Sequence, residues 1–195
     1  MTAGIVLAAG ASSRMGRPKA LLKIGQRTFV RAVLDALRDG GLTEVAVVVR
    51  PGQRDVNDEI VRAGFGRIVE NAHPERGQLS SLVAGLDAID TPEVTAVLVT
   101  LVDIPLIAGS TVRRLVERTA ASRAPILRAV HQGQHGHPVV FQRAVFDELR
   151  HADPERGAKE VVRAHDVEDV EVDDPGVSHD VDTPDDYERV RARQR

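Results

Sequence analysis

The chain contains no cysteine among its 195 residues. That excludes a disulfide framework, a thiolate zinc site and a cysteine nucleophile together. It also lacks a marked excess of charge of either sign: 26 basic residues stand against 29 acidic ones, spread along the sequence, for a formal net charge of -3. With no global field to draw in nucleic acid, any anion site has to be local. No stretch approaches the ~18 apolar residues that cross a bilayer. The opening MTAGIVLAAG has no basic segment and runs straight into a glycine loop, so neither a membrane span nor a signal peptide is expected, and a cytoplasmic protein is. Internal repeats, low-complexity tracts and long linkers are absent too. At this length a single domain over residues 1–195 is the default.

What is present is a regular alternation. Short β-branched runs occur at 4–9, 44–50, 94–100, 124–130, 137–141 and 167–172. Helix-patterned segments lie between the first of them: TFVRAVLDALRDGG, with Thr28 as N-cap and Gly40 or Gly41 as C-cap, then QRDVNDEIVRAG, then LSSLVAGLDAI. Strands that are apolar throughout and alternate with helices predict an α/β fold, a mostly parallel sheet covered on both faces. After about residue 124 the pattern becomes strand-rich and less regular, which predicts an antiparallel strand or small β subregion there and a second pocket. Ligands of such sheets bind beyond the C-terminal strand ends. Three places meet that condition: the Gly10 loop, Asp103 after AVLVTLV, and the acidic cluster around Asp182.

The loop LAAGASSRMGRPK fails two well-known phosphate-binding patterns. Five residues separate Gly10 from Gly16, and Lys19 follows three later with Ala20 behind it, so it is not a Walker A loop. Position 12 is Ser, and the second strand ends at Arg50 rather than an acid, so the dinucleotide fingerprint is missing. A loop whose amides line a triphosphate remains, with Gly10 turning the chain, Gly16 allowing close approach, Arg14 forking onto phosphate oxygens and Lys19 acting as a point charge. A plain strand-to-helix turn with solvated basic residues would look similar in isolation.

The whole stretch, however, resembles the signature L-A-[AG]-G-x-S-x-R-M-G-x-x-K of the MobA-like nucleotidyltransferases, the family of the molybdopterin guanylyl- and cytidylyltransferases. The resemblance continues in order along the chain. NAHPERGQLSSL is similar to the family's Asn-Pro element leading to G-x-x-x-S; VDIPLI carries its strand-end aspartate; GHPVVF is similar to an element common among the cytidylyl members; HDVDTPDDY is similar to its late D-[IV]-D-T-P element. ERGAKEVV resembles a G-D-x-G-A-R segment, with Lys159 where Arg is common.

The resemblance implies a single Rossmann-like domain of the nucleotide-diphospho-sugar transferase kind, with a nucleotide-binding half at about 1–107 and an acceptor-binding half at about 108–195. It implies Arg14, Lys19 and Asp103 as catalytic residues. Nucleotide would be held by Leu7, Ala8, Ala9, Gly10, Ser12, Ser13, Arg14, Gly16, Lys19, Asn71, Gly77, Ser80 and Ser81, acceptor by Gly136, His137 and Pro138, and Mg2+ by Asp103 and Asp182, with Asp180 the alternative to Asp182. Asp103 could instead cap the helix starting near Gly109, and Asp185 and Asp186 suit the start of the last helix. Zinc on His135 and His137 lacks a third ligand nearby.

The implied reaction moves a nucleoside monophosphate from a triphosphate to molybdopterin. Ala9, where guanylyl members carry glycine, favours CTP. The implied partners are CTP, a molybdopterin-type or other phosphorylated acceptor, and a molybdoenzyme or its chaperone that takes the product. GTP or a sugar phosphate as substrate are the alternatives within the fold; an NAD(P)-dependent oxidoreductase and a non-catalytic nucleotide-binding protein are those outside it.

Overall fold

The computed structural model describes residues 1–10 and 16–192. In chain order the elements are β1 (Thr2–Leu7), β2 (Lys23–Ile24), β3 (Arg27–Thr28), α1 (Phe29–Asp39), β4 (Val45–Val49), α2 (Arg54–Ala63), β5 (Arg67–Glu70), α3 (Gln78–Ile89), β6 (Ala96–Leu101), α4 (Gly109–Ala121), β7 (Ile126–His131), β8 (Gln134–Gln142), α5 (Phe146–His151), α6 (Ala158–Ala164), β9 (Val167–Glu171) and α7 (Pro184–Ala192). Seven strands form one sheet in the order β5-β4-β1-β6-β8-β7-β9, while β2 and β3 pair separately. β8 runs antiparallel to β6 and β7, and the other pairings in the large sheet are parallel. The expected antiparallel strand in the C-terminal half is therefore a central one.

Alternation explains why the strands are apolar throughout. Val6 of β1 and Val45, Val47 and Val49 of β4 join a core shared with α1, α2, α4 and α7, while Ala3, Ile5 and Leu7 of β1 and Ala46 and Val48 of β4 join a second core with α3, α5 and α6. Successive side chains point to opposite faces, and both faces are buried. α3 lies especially close to the sheet because Gly85 faces it: a Cβ there would come within 2.7 Å of Ile5 and 2.9 Å of Val48. This close packing sets the start of α3 beside the end of β1.

Helix ends follow their capping residues. Thr28 accepts a hydrogen bond from the Arg31 amide at 3.3 Å, and Gly40 closes α1. At α7, Thr183 and Asp186 cap each other reciprocally: the Asp186 carboxylate accepts from the Thr183 amide at 2.9 Å and hydroxyl at 2.6 Å, and the Asp186 amide donates to Thr183 Oγ1 at 3.2 Å. Asp103 does not cap α4. Asp174 does, accepting from the Ala108 amide at 2.8 Å and the Thr111 hydroxyl at 2.6 Å. Among the described residues no helix is long and apolar enough to cross a membrane.

Candidate active site

β1 and β6 end side by side, and the Val102 amide donates to the Leu7 carbonyl at 3.1 Å just beyond them. The chain leaves the sheet at Ala8, sooner than the apolar run to Ala9 predicts, and residues 7–10 become one wall of a cavity of ≈ 340 Å³. Gly77, Gln78 and Ser81 at the start of α3 form another wall, and Lys19, Leu101, Val102 and Asp103 complete it with Pro74. Among the described residues no side chain caps α3, which leaves its first-turn amides and its positive dipole end facing the cavity that Gly77 and Gln78 line.

Asn71 and Ser80 do not line this cavity. Asn71 is buried, and its side-chain amide donates to Ser80 Oγ at 2.9 Å and Ser81 Oγ at 3.0 Å while its oxygen accepts from the His73 amide at 2.9 Å. Ser80 Oγ also lies 2.8 Å from the Gly77 carbonyl. These groups brace the α3 start, while Ser81 lines the cavity. Gly16 is exposed and does not line the cavity, and Ser12, Ser13 and Arg14 lie outside the described residues.

Three charges converge at the cavity mouth. Lys19 Nζ lies 2.8 Å from Asp103 Oδ2 and 2.5 Å from Asp182 Oδ1. Lys19 is presented by a turn of 3-10 helix that starts after Pro18. Asp182, some eighty residues downstream of Asp103, arrives because the Val181 amide donates to the Asp103 carbonyl at 2.8 Å and the Val181 side chain is buried. The helix that follows is held in turn by Tyr187, whose hydroxyl donates to Lys23 O at 3.0 Å and whose ring meets Phe29 edge-on at 5.9 Å. It is Asp182, rather than Asp180, that reaches Lys19. Burial lowers the affinity of Lys19 for its proton, but the hydrogen bonds and charges of Asp103 and Asp182 outweigh it and raise the pKa above the ordinary lysine value.

The donor set suits a hard divalent cation. Among the described residues Asp103 Oδ1 is buried without a hydrogen-bond partner, and Asp182 supplies a second carboxylate around the same ammonium. Among the described residues no group of three or more His, Asp or Glu side chains is placed to hold a metal. A cation here would take the rest of its shell from phosphate oxygens and water, as Mg2+ commonly does.

A second cavity, of ≈ 630 Å³, adjoins the first, and Leu7 and Gln78 line both. One wall is β8, whose period of two puts His135, His137, Val139 and Phe141 along it; Leu79 and Leu82 of α3, Arg128, and residues 154–159 and 162 form the rest. His137 is half-buried, with Nδ1 3.3 Å from the Val99 carbonyl. Burial pushes its pKa below the ordinary histidine value, against the opposing pull of that carbonyl and of the Asp103 and Asp180 charges. Gly136 lines the cavity, and a Cβ on it would overlap the Val177 carbonyl behind. Pro138 is buried and does not line it. Gly157 and Lys159 do. Arg128, paired with Asp169 at 2.6 Å, and Phe141 escaped the sequence reading, although the alternation of β8 from His137 was enough to find Phe141.

Known proteins share this fold. A crystal structure of Rv0371c from Mycobacterium tuberculosis H37Rv is 33% identical, with a TM-score of 0.84 over 98% of this chain and 97% of that one. A complex of the same protein with manganese is 32% identical, with a TM-score of 0.80 over 98% and 97%. Among curated proteins, a nicotine blue oxidoreductase from Paenarthrobacter nicotinovorans is 36% identical over 146 residues, 71% of this chain and 69% of that protein. A probable molybdenum cofactor guanylyltransferase from Pelotomaculum thermopropionicum is 28% identical over 164 residues, 83% and 69% respectively. The chain spans only 28% and 25% of two bifunctional GlmU proteins that it also matches. The sheet is that of the nucleotide-diphospho-sugar transferases. Residues 4–170, which carry the glycine loop, the start of α3, the Asp103 strand end and β8, match the MobA-like NTP transferase domain, and the chain belongs to that family.

Proposed function

We propose that this protein transfers CMP from CTP to molybdenum-loaded molybdopterin and releases pyrophosphate. The observation that carries the reading is the convergence of Lys19, Asp103 and Asp182, the first two lining the smaller cavity, next to a larger cavity that adjoins it through Leu7 and Gln78. A phosphate oxygen of the acceptor attacks the α-phosphorus, and the bond from that phosphorus to the bridging oxygen of the leaving pyrophosphate breaks. Such transfers are accelerated mostly by positioning and charge neutralisation, so no protein nucleophile is required.

In this reading Leu7, Ala8, Ala9, Gly10, Gly77 and Ser81 enclose the base and sugar, Asn71 and Ser80 hold the α3 start in place against them, and the residues Ser12, Ser13, Arg14, Gly16 and Lys19 hold the triphosphate. Mg2+ held by Asp103 and Asp182 would supply charge neutralisation at the α-phosphate and the departing pyrophosphate. His137 and Gly136 help form the acceptor cavity. The nucleotide half at about 1–107 and the acceptor half at about 108–195 share one sheet, and each cavity borrows from the other half: Leu79 and Leu82 reach the acceptor side, Asp182 the nucleotide side.

CTP is preferred because Ala9 puts a methyl where the guanylyl branch has glycine. The guanylyltransferase relative keeps GTP as the competing donor, and a sugar phosphate is the competing acceptor. Pyrophosphate release is measured with Mg2+ and molybdenum-loaded molybdopterin, comparing CTP, GTP, ATP and UTP. Preference for CTP is expected; release with GTP alone overturns the base assignment, and release with none overturns the acceptor.

A second reading has one observation behind it, the relative named nicotine blue oxidoreductase. It is tested by fluorescence titration of NADPH and NADH, which the missing dinucleotide fingerprint says will show no saturable binding.

A further inference from the structure

Lys19 occupies the place where the two carboxylates converge, its ammonium 2.8 Å from one and 2.5 Å from the other. We propose that Lys19 is a counter-ion that keeps the Asp103–Asp182 centre closed to divalent cations until a triphosphate draws its ammonium away, so that cation and nucleotide load together. The proposal rests on the reading of this centre as the metal side of a nucleotide site.

The charge count favours it. Two carboxylates and one ammonium sum to one negative charge. Adding a divalent cation beside the ammonium reverses that sign in a half-enclosed space, where like charges repel more strongly than in bulk water. Moving the ammonium onto a polyanion leaves the carboxylates to the cation and balances both. The side chain is placed to make the exchange, since Lys19 lines the ≈ 340 Å³ cavity as well as touching the carboxylates. Among the described residues Asp103 Oδ1 is buried and has no hydrogen-bond partner, so the lysine does not satisfy the carboxylate completely. Linkage then requires that nucleotide tighten cation binding by the same factor as cation tightens nucleotide binding.

The test uses Mn2+, the ion of the related manganese complex, and reads the free-ion electron paramagnetic resonance signal without acceptor or turnover. The nucleotide-free protein is expected to bind Mn2+ weakly, and Lys19→Met at least about tenfold more tightly. Lys19→Gln, which removes the charge and keeps a donor, should match Lys19→Met, and circular dichroism melting confirms that both fold. Adding Asp182→Asn to Lys19→Met should abolish the gain and thereby locate the ion. With α,β-methylene CTP present, the wild-type protein should tighten its hold on Mn2+. Equal Mn2+ affinity in the wild type and both folded lysine variants overturns the proposal, as does a gain that survives Asp182→Asn. Tighter binding in the lysine variants alongside absent CMP transfer by the wild-type protein would leave the counter-ion role standing and remove only the proposed reaction.

Discussion

The ≈ 340 Å³ cavity is lined by the β1 end with its small Ala8, Ala9 and Gly10, by the α3 start, and by Lys19, Pro74 and residues 101–103, whereas the ≈ 630 Å³ cavity next to it is lined mainly by β8, α3 and the segment around α6. The contrast matches two kinds of recognition. Phosphates and base edges can be met by amides, whose positions are set by secondary structure and tolerate little change. A ring-shaped acceptor is met by side-chain shape, which many sequences can supply. Lys19 and Asp103 line the smaller cavity and Asp182 meets the same ammonium, so substitutions in this cluster should act on the chemical step and those further out on one substrate at a time.

The largest effect is expected at that cluster. Asp103→Asn should reduce turnover by at least about a hundredfold, because a neutral amide neither holds a cation nor balances Lys19 as a carboxylate does. The melting temperature should move little, since a substitution at one half-open site seldom unfolds a domain. A variant that keeps near-normal turnover removes Asp103 from the centre.

Next comes the back wall of the larger cavity. Gly136→Ala places a methyl on the Val177 carbonyl, and neither backbone can step aside easily. Destabilisation on the order of 1–3 kcal/mol is expected by chemical denaturation, with a weakened acceptor KM in the protein that remains folded. Unchanged stability would show that the segment around Val177 is free to retreat, and the wall would then be adaptable rather than rigid.

The same contrast governed what could be read from the chain. β1, β4 and β6 are apolar on both faces, so composition alone marks them as buried parallel strands. β5 is an edge strand bounded by Arg67 and Glu70, half-exposed, and carries no such signal. β8 begins at Gln134, where polar residues pair with β7 without any apolar alternation to announce it. At the site, Lys19, Asp103 and Asp182 were legible because strand ends and a long ordered motif mark them. The brace made by Asn71 and the cap made by Asp174 were not: each is a polar group whose partners are chosen by the fold, and Asp174 meets Thr111 across 63 residues of sequence. The same residue types in the same order fit a ligand-facing role equally well until the surrounding chain is in place.

A smaller effect separates the two cavities directly. His137→Ala should raise KM for the acceptor by roughly tenfold, the value of one hydrogen bond with some lost contact area, and leave KM for the nucleotide unchanged. Burial holds the His137 imidazole below its ordinary pKa of 6.5, so it is neutral above that value, and replacing it should leave the pH profile of the acceptor KM between pH 6.5 and 8 unchanged in shape. An equal rise in both KM values would mean that the cavities act as one.

The finest distinction is the single methyl of Ala9, buried in the wall of the smaller cavity. Removing it frees space for about one carbon, worth about 0.8 kcal/mol of apolar contact. Ala9→Gly should therefore shift the ratio of kcat/KM for GTP over CTP upward by roughly fourfold, with the chemical step otherwise intact. If the ratio does not move, the wall at Ala9 does not set the base, and discrimination passes to the Gln78 and Ser81 side of the same cavity, where polar groups rather than volume would make the choice.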